Sequence, residues 1–145
     1  MMKLDPPDTR EVDYSQTREN VANWFDREYS KYQRLANIPV ISSVRLSLAP
    51  KSTASTNSVE DMNVNRANAR QVLEFVDAIL DTLDDRYKTI IKLLYIQGSQ
   101  NWQVYELLGY GRARYGVLKN EACALFAQTM DMTAGTELTS YKVKE

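Results

Sequence analysis

Two glycines one residue apart, Gly109-Tyr110-Gly111, separate two stretches of helical apolar periodicity, and this punctuation constrains the chain more than any other feature. Residues 102–108 read as a short amphipathic helix. Gly109 is where it stops, because a residue without Cβ takes the left-handed cap conformation at low cost. From Arg112 onward, Tyr115, Leu118, Ala122, Leu125 and Phe126 fall at helical spacing and predict a second helix with one buried stripe.

Such an αα corner is the supersecondary pattern of helix-turn-helix proteins. Its two helices are held together by apolar residues at fixed offsets from the turn, here Val104, Leu108, Tyr110, Tyr115 and Leu118, all of them apolar or aromatic. Tyr105 departs from the pattern, which usually has a small residue where the helices nearly touch. Helical hairpins with apolar seams also form for packing alone, so the spacing leaves open both a DNA-presenting module and a plain structural hairpin.

The upstream chain supplies the elements on which such a hairpin would rest. Residues 1–12, with Pro6-Pro7 and alternating charges, have little to bury and read as a flexible arm. Residues 13–36 predict a long amphipathic helix with Asp13 or Ser15 as N-cap and Val21, Trp24, Phe25, Tyr32 and Leu35 as its stripe. Glu28 falls within that stripe, where a carboxylate needs a partner or a wet edge. The helix either docks on its own chain or joins subunits, with Glu28 then helping to set register.

Residues 37–57 carry Pro39 and Pro50 among serines and threonines and read as a linker. Within it Val44, Leu46 and Leu48 alternate as in a short strand, and Arg45 and Lys51 are within the reach of phosphate or simply solvated. Ser58 is the expected start of the next helix, with Glu60 and Asp61 in its first turn. Its inner stripe is Met62, Ala69, Val72, Leu73, Val76, Ile79, Leu80 and Leu83. A further helix over 84–96 contributes Tyr87, Ile90, Ile91 and Leu94 and ends at Gly98.

With the hairpin, these segments predict an all-α helical bundle with one four-helix core over 58–130. Residues 131–145, holding Leu138, Tyr141 and Val143, form a C-terminal tail or an added strand.

Composition decides which chemistries are open. At 145 residues, 43% hydrophobic and 26% charged, the chain is long enough for a modest core and too apolar for global disorder. It has no histidine, which removes histidine as general base or metal ligand. Zinc sites of the cysteine and histidine kind fail with it, and no phosphate-cradling glycine loop is present. Asp81, Asp84 and Asp85 sit at a helix start, where the dipole explains them more simply than a metal does. Cys123, the lone cysteine, excludes an internal disulfide, fits a reducing cytoplasm and reads as a packed thiol. No enzyme, cofactor or metal is expected. No apolar run approaches the ~20 residues of a membrane span, and no signal peptide is visible.

The net charge of −1 does not by itself announce a nucleic-acid partner, but charge is unevenly placed. Residues 31–70 carry six basic against two acidic side chains and residues 83–130 six against four, while both flanks are acidic. With Tyr115 and Leu118 inward, the second hairpin helix presents Ala113, Gly116, Val117 and Asn120, flanked by Arg112 and Lys119 on one side and Arg114 on the other. In a major groove, arginine and lysine suit phosphate or guanine, asparagine suits adenine, and Ala113 and Val117 meet thymine methyls. Gln103, on the first hairpin helix, completes the candidate DNA-binding set. A small apolar face of this kind also packs against other helices.

The chain resembles the ArpU family of phage-encoded transcriptional regulators, found in phages and prophages of Gram-positive bacteria. The resemblance runs through Asn20-Val21, residues 29–35, Ser58-Val59-Glu60-Asp61 and residues 83–98. It is most specific over Trp102-Gln103-Val104-Tyr105-Glu106-Leu107-Leu108-Gly109-Tyr110, continued by Tyr115, Leu118-Lys119, Glu121-Ala122 and Phe126-Ala127. The acid-rich helix, Leu83-Asp84-Asp85-Arg86-Tyr87 and the hairpin are also similar to region 4 of bacterial sigma factors.

The resemblance implies a sequence-specific, double-stranded-DNA-binding regulator of phage late genes in the bacterial cytoplasm, acting with host RNA polymerase. Tyr105 suits this family. Gly111, however, stands where the family usually has a capping serine, and the outward face is less basic than is usual. The competing functions are a phage DNA-packaging component, such as a small terminase subunit, and an adaptor that contacts RNA polymerase without DNA. So few basic residues on one short helix imply a homodimer or higher homo-oligomer.

Overall fold

The structure, a computed structural model, describes residues 11–37 and 55–143. Most of the 1–12 arm, residues 38–54 with Val44, Leu46, Leu48, Arg45 and Lys51, and the side chains of Glu60, Asp61 and Met62 lie outside the described residues. The protein is all-α. In order it comprises α1 (Tyr14–Trp24), a π-helical turn (Phe25–Tyr29), α2 (Ser30–Ala36), α3 (Ser55–Asp81), α4 (Asp85–Ile91), a second π-helical turn (Lys92–Ile96), α5 (Asn101–Leu108) and α6 (Arg112–Ala134). Two units form, Met1–Phe25 with Ile79–Glu145, and Asp26–Ala78. The division falls inside the helical segments 13–36 and 58–130.

In the unit Asp26–Ala78, the π-helical turn resets which residues face inward. A strict α-period from Val21 and Phe25 brings Glu28 into the stripe. A π turn inserts one residue, which advances the face by about 100°. Tyr29 and Ala36 are accordingly buried and Glu28 is exposed, so the expected problem of a carboxylate within the stripe does not arise. Burial and the nearby Asp77 both push the Tyr29 phenol up. On α3, Ala69 and Val76 are buried, with Val72 and Leu73 half-buried. The helix begins at Ser55, so Ser58 lies inside it and is not its cap. No glycine or proline follows Pro50 to delay the start.

In the other unit, α6 is the central element. It packs against α1, α4 and α5. Because partners cover more than one side of it, the single stripe expected for α6 is not what forms. Ala122, Cys123 and Ala124 are buried consecutively, with Tyr115, Leu118, Phe126, Ala127 and Met130, whereas Leu125 is 39% exposed. The small side chains at 122–124 let neighbouring helices approach.

Phe25 stacks on Phe126 at 5.1 Å and on Tyr95 at 5.4 Å, and Trp24 lies 6.0 Å from Phe126. Such pairs add about 0.5–1.5 kcal/mol each beyond the area they bury. The Tyr95 hydroxyl lies 3.4 Å from the Cys123 Sγ, and burial pushes the thiol up, as fits a packed cysteine.

The helix ends follow local rules. Asp13, not Ser15, caps α1, accepting from the Gln16 N–H at 3.1 Å. Asp84 caps α4 by accepting from the Arg86 N–H at 3.0 Å, and Asp81 is bonded to Lys88, so these acids are engaged in helix-end contacts. Gly98 has φ 75°, closing the α4 segment where the sequence places the stop.

The C-terminal residues pair with the chain start through an isolated antiparallel bridge, Val12 with Tyr141, rather than a strand. Thr17, fully buried, accepts from the Ser140 N–H at 3.0 Å, and Asn20 donates to the Leu138 carbonyl at 3.0 Å. Asp131 gathers the bend between α6 and this segment, accepting from the Thr136 hydroxyl and from the Leu138 and Thr139 N–H groups at 2.7–2.9 Å.

Candidate nucleic-acid interface

The corner between α5 and α6 is built by its glycines. Gly109 caps α5 in the left-handed conformation, φ 73° and ψ 24°, and the Tyr110 N–H returns to the Tyr105 carbonyl at 2.9 Å. Gly111 is the N-cap of α6, extended at φ −71° and ψ 158°, and has no side chain to cap the first turn. The first N–H groups of α6 therefore have no side-chain acceptor at the cap, an arrangement that favours anions.

The seam expected from the spacing forms. Val104, Tyr115 and Leu118 are buried with Ile90, and Leu108 and Tyr110 pack against them. Tyr105 fits because its ring lies against Tyr115, 5.6 Å between centroids, at the edge of the seam. Tyr115 donates its hydroxyl to the Asn101 Oδ1 at 2.7 Å, and burial pushes the phenol up to about 12. Tyr87, packed on this cluster, donates to Glu121, which raises the phenol's pKa.

The eight candidate DNA-contacting residues fall into two groups. Arg112, Ala113 and Arg114 are exposed in the first turn of α6, with Val117, 47% exposed, one turn on. Gly116, Lys119 and Asn120 are half-buried. Asn120 accepts from Arg18 Nη1 at 2.9 Å, so α1 reaches over the second turn of the face that the sequence places outward. Lys119 donates to the same Asn101 Oδ1 that Tyr115 uses, at 3.0 Å. Burial, together with the neighbouring Arg18, pulls the Lys119 ammonium below its ordinary value. Gln103 is exposed, and its Oε1 accepts from the Gln100 N–H at 2.8 Å, closing the start of α5.

Between α1, α5 and α6 lies an open groove of about 680 Å³. Its cations are Arg18, Arg112 and Lys119, its aromatic walls include Trp102 and Tyr105, and no acidic residue lines it. Arg18 is the member that sequence reasoning missed. It lies 102 positions from Asn120, and nothing in the local pattern of α1 marks it.

Gly116 has its own significance. A Cβ built there meets no atom within 4 Å, so packing does not require glycine at this helical position.

A protein-family model described as "Protein of unknown function (DUF1492)" matches residues 53–126. No curated protein and no solved structure matches the chain. Among the described residues, no helix is long and apolar enough to cross a membrane.

Proposed function

The chain belongs to the DUF1492 family, which brings no activity with it, and from the geometry of the α5–α6 corner we propose that it is a sequence-specific double-stranded-DNA-binding regulator of transcription. The observation that carries the proposal is the first turn and a half of α6. Arg112, Ala113, Arg114 and Val117 are exposed there, whereas from Leu118 to Met130 every residue of the helix except Leu125 is buried or half-buried. An uncapped helix start with two arginines and two small apolar side chains suits a major groove, where arginine reads guanine and methyl groups meet thymine.

Gly116 supports the same reading. Glycine in a helix interior costs about 1 kcal/mol relative to alanine, and close approach of a groove wall is a use that offsets the cost. The resemblance to ArpU regulators supports late phage genes, for packaging, structure or lysis, as the proposed targets, with host RNA polymerase as the proposed machinery affected. Two copies of the chain add their phosphate contacts, since one helix start carries too few charges for tight binding alone.

The test is selection of bound duplexes from a random pool, followed by retardation of the selected sequence against an unrelated one. Arg112→Ala and Arg114→Ala, singly, should each cost about 1–3 kcal/mol on the selected duplex where the arginine reads a base, and relax preference at one position. An unenriched pool, or unchanged binding by the double variant, rejects the proposal. Capture of RNA polymerase by a chain that retards no DNA would favour the adaptor reading instead, in which exposed Leu107, 72% accessible on α5, forms part of the contact.

A further inference from the structure

The groove between α1, α5 and α6 holds three cations, none of which forms an ion pair with another described residue. Arg18 and Lys119 are half-buried and near enough for Arg18 to disfavour the Lys119 charge, whereas Arg112 is exposed at the groove's edge. Arg18 is also held in place, because the neutral Asn120 amide orients its guanidinium at 2.9 Å without cancelling its charge. Lys119 is likewise positioned by Asn101, an uncharged acceptor. The first residues of α5, Asn101 and Trp102, border the same space, so the positive end of that helix adds to the field. Arg112 belongs to both the groove and the exposed start of α6.

We propose that this groove is a phosphate site in which Arg18 and Lys119 hold a backbone phosphate of the bound duplex, while Arg112 at its exposed edge is left to the bases. This rests on the DNA-binding reading and extends it to α1, which lies outside the matched family segment 53–126. The helix that packs on α6 thereby becomes part of the interface. Trp102, half-exposed at the rim, is placed against the adjoining sugar. The contact positions the protein and carries no base information.

Salt dependence separates this role from a purely structural one. Each phosphate contact contributes about 0.9 to the slope of log affinity against log salt. The full chain is titrated on the selected duplex and on an unrelated one across a range of salt. Arg18→Ala should lower the slope, by up to about 0.9 where the phosphate contact is lost entirely, and weaken both duplexes by the same factor, and Arg18→Lys, which keeps the charge, should restore the slope. Thermal melts of both variants report any loss of folding.

A variant that melts earlier but keeps the wild-type slope overturns the proposal and leaves the DNA-binding reading intact. Protection of the wild type, but not Arg18→Ala, by inorganic phosphate or a mononucleotide, with the DNA slope unmoved, reassigns the groove to a free phosphate ligand and overturns it too. Failure of the wild type to bind any duplex at low salt rejects both readings together.

Discussion

Gly116→Ala should raise the stability of the fold and lower its affinity for DNA. The glycine is the fifth residue of α6, in the helix interior, and an added Cβ meets nothing within 4 Å. No steric cost therefore opposes the gain in helix propensity, about 0.8–1.0 kcal/mol. For a chain of this size that corresponds to a rise in Tm of about 3 °C. Urea unfolding followed by circular dichroism should show a later midpoint with an unchanged slope.

On DNA the same methyl group stands between the α6 backbone and the groove, and affinity should fall about tenfold, equivalent to about 1.4 kcal/mol. Stability and binding thus move in opposite directions, which general damage to the fold cannot produce. A destabilised variant would refute the packing argument. A stabilised variant with undiminished binding would show that Gly116 lies off the interface and that its helix-propensity cost has another origin.

Asp131 should contribute to the acid limb of stability. Burial opposes its ionisation, but the hydrogen bonds from Thr136, Leu138 and Thr139 outweigh burial and hold the carboxyl below its ordinary value. A depressed folded-state pKa means that the stabilisation is present above about pH 4, the unfolded value, and is lost as pH falls through the folded one. Asp131→Asn should therefore cost about 1–3 kcal/mol at neutral pH and flatten the loss of stability below pH 4. An acid limb unchanged in the variant would exclude Asp131 as a contributor. Gly109→Ala should destabilise by about 1–2 kcal/mol, because φ 73° places a Cβ against the following carbonyl; thermal melting that matches the wild type would show that the corner relaxes without left-handed geometry.

Much of the helical framework was legible in the sequence because its signals are local. Asp84, Gly98 and Gly109 mark boundaries that depend only on residues within one turn, and each does so in the structure. The seam of Val104, Leu108, Tyr110, Tyr115 and Leu118 was legible for the same reason, since all five residues lie close in sequence to the Gly109 turn. The α-helical period failed at Glu28, where a π turn slips the register by one residue. Leu125 misled the stripe because α6 is covered on more than one side, and a single-face pattern does not describe such a helix.

The candidate interface divides along the same line. Arg112, Ala113, Arg114 and Val117 are exposed as the spacing of α6 predicts, because the positions of Tyr115 and Leu118 orient the helix. Lys119 and Asn120 share that helical face, yet Asn101 and Arg18 engage them. No periodicity within α6 carries information about a side chain on α1, since closing that contact depends on how distant helices dock. Helix, turn and the seam that Tyr115 and Leu118 make with α5 were thus determined by the sequence alone, through backbone sterics and apolar spacing. The groove of Arg18, Arg112 and Lys119 was decided only by tertiary structure, because like charges have no local reason to meet and are brought together by the packing of the helices that carry them.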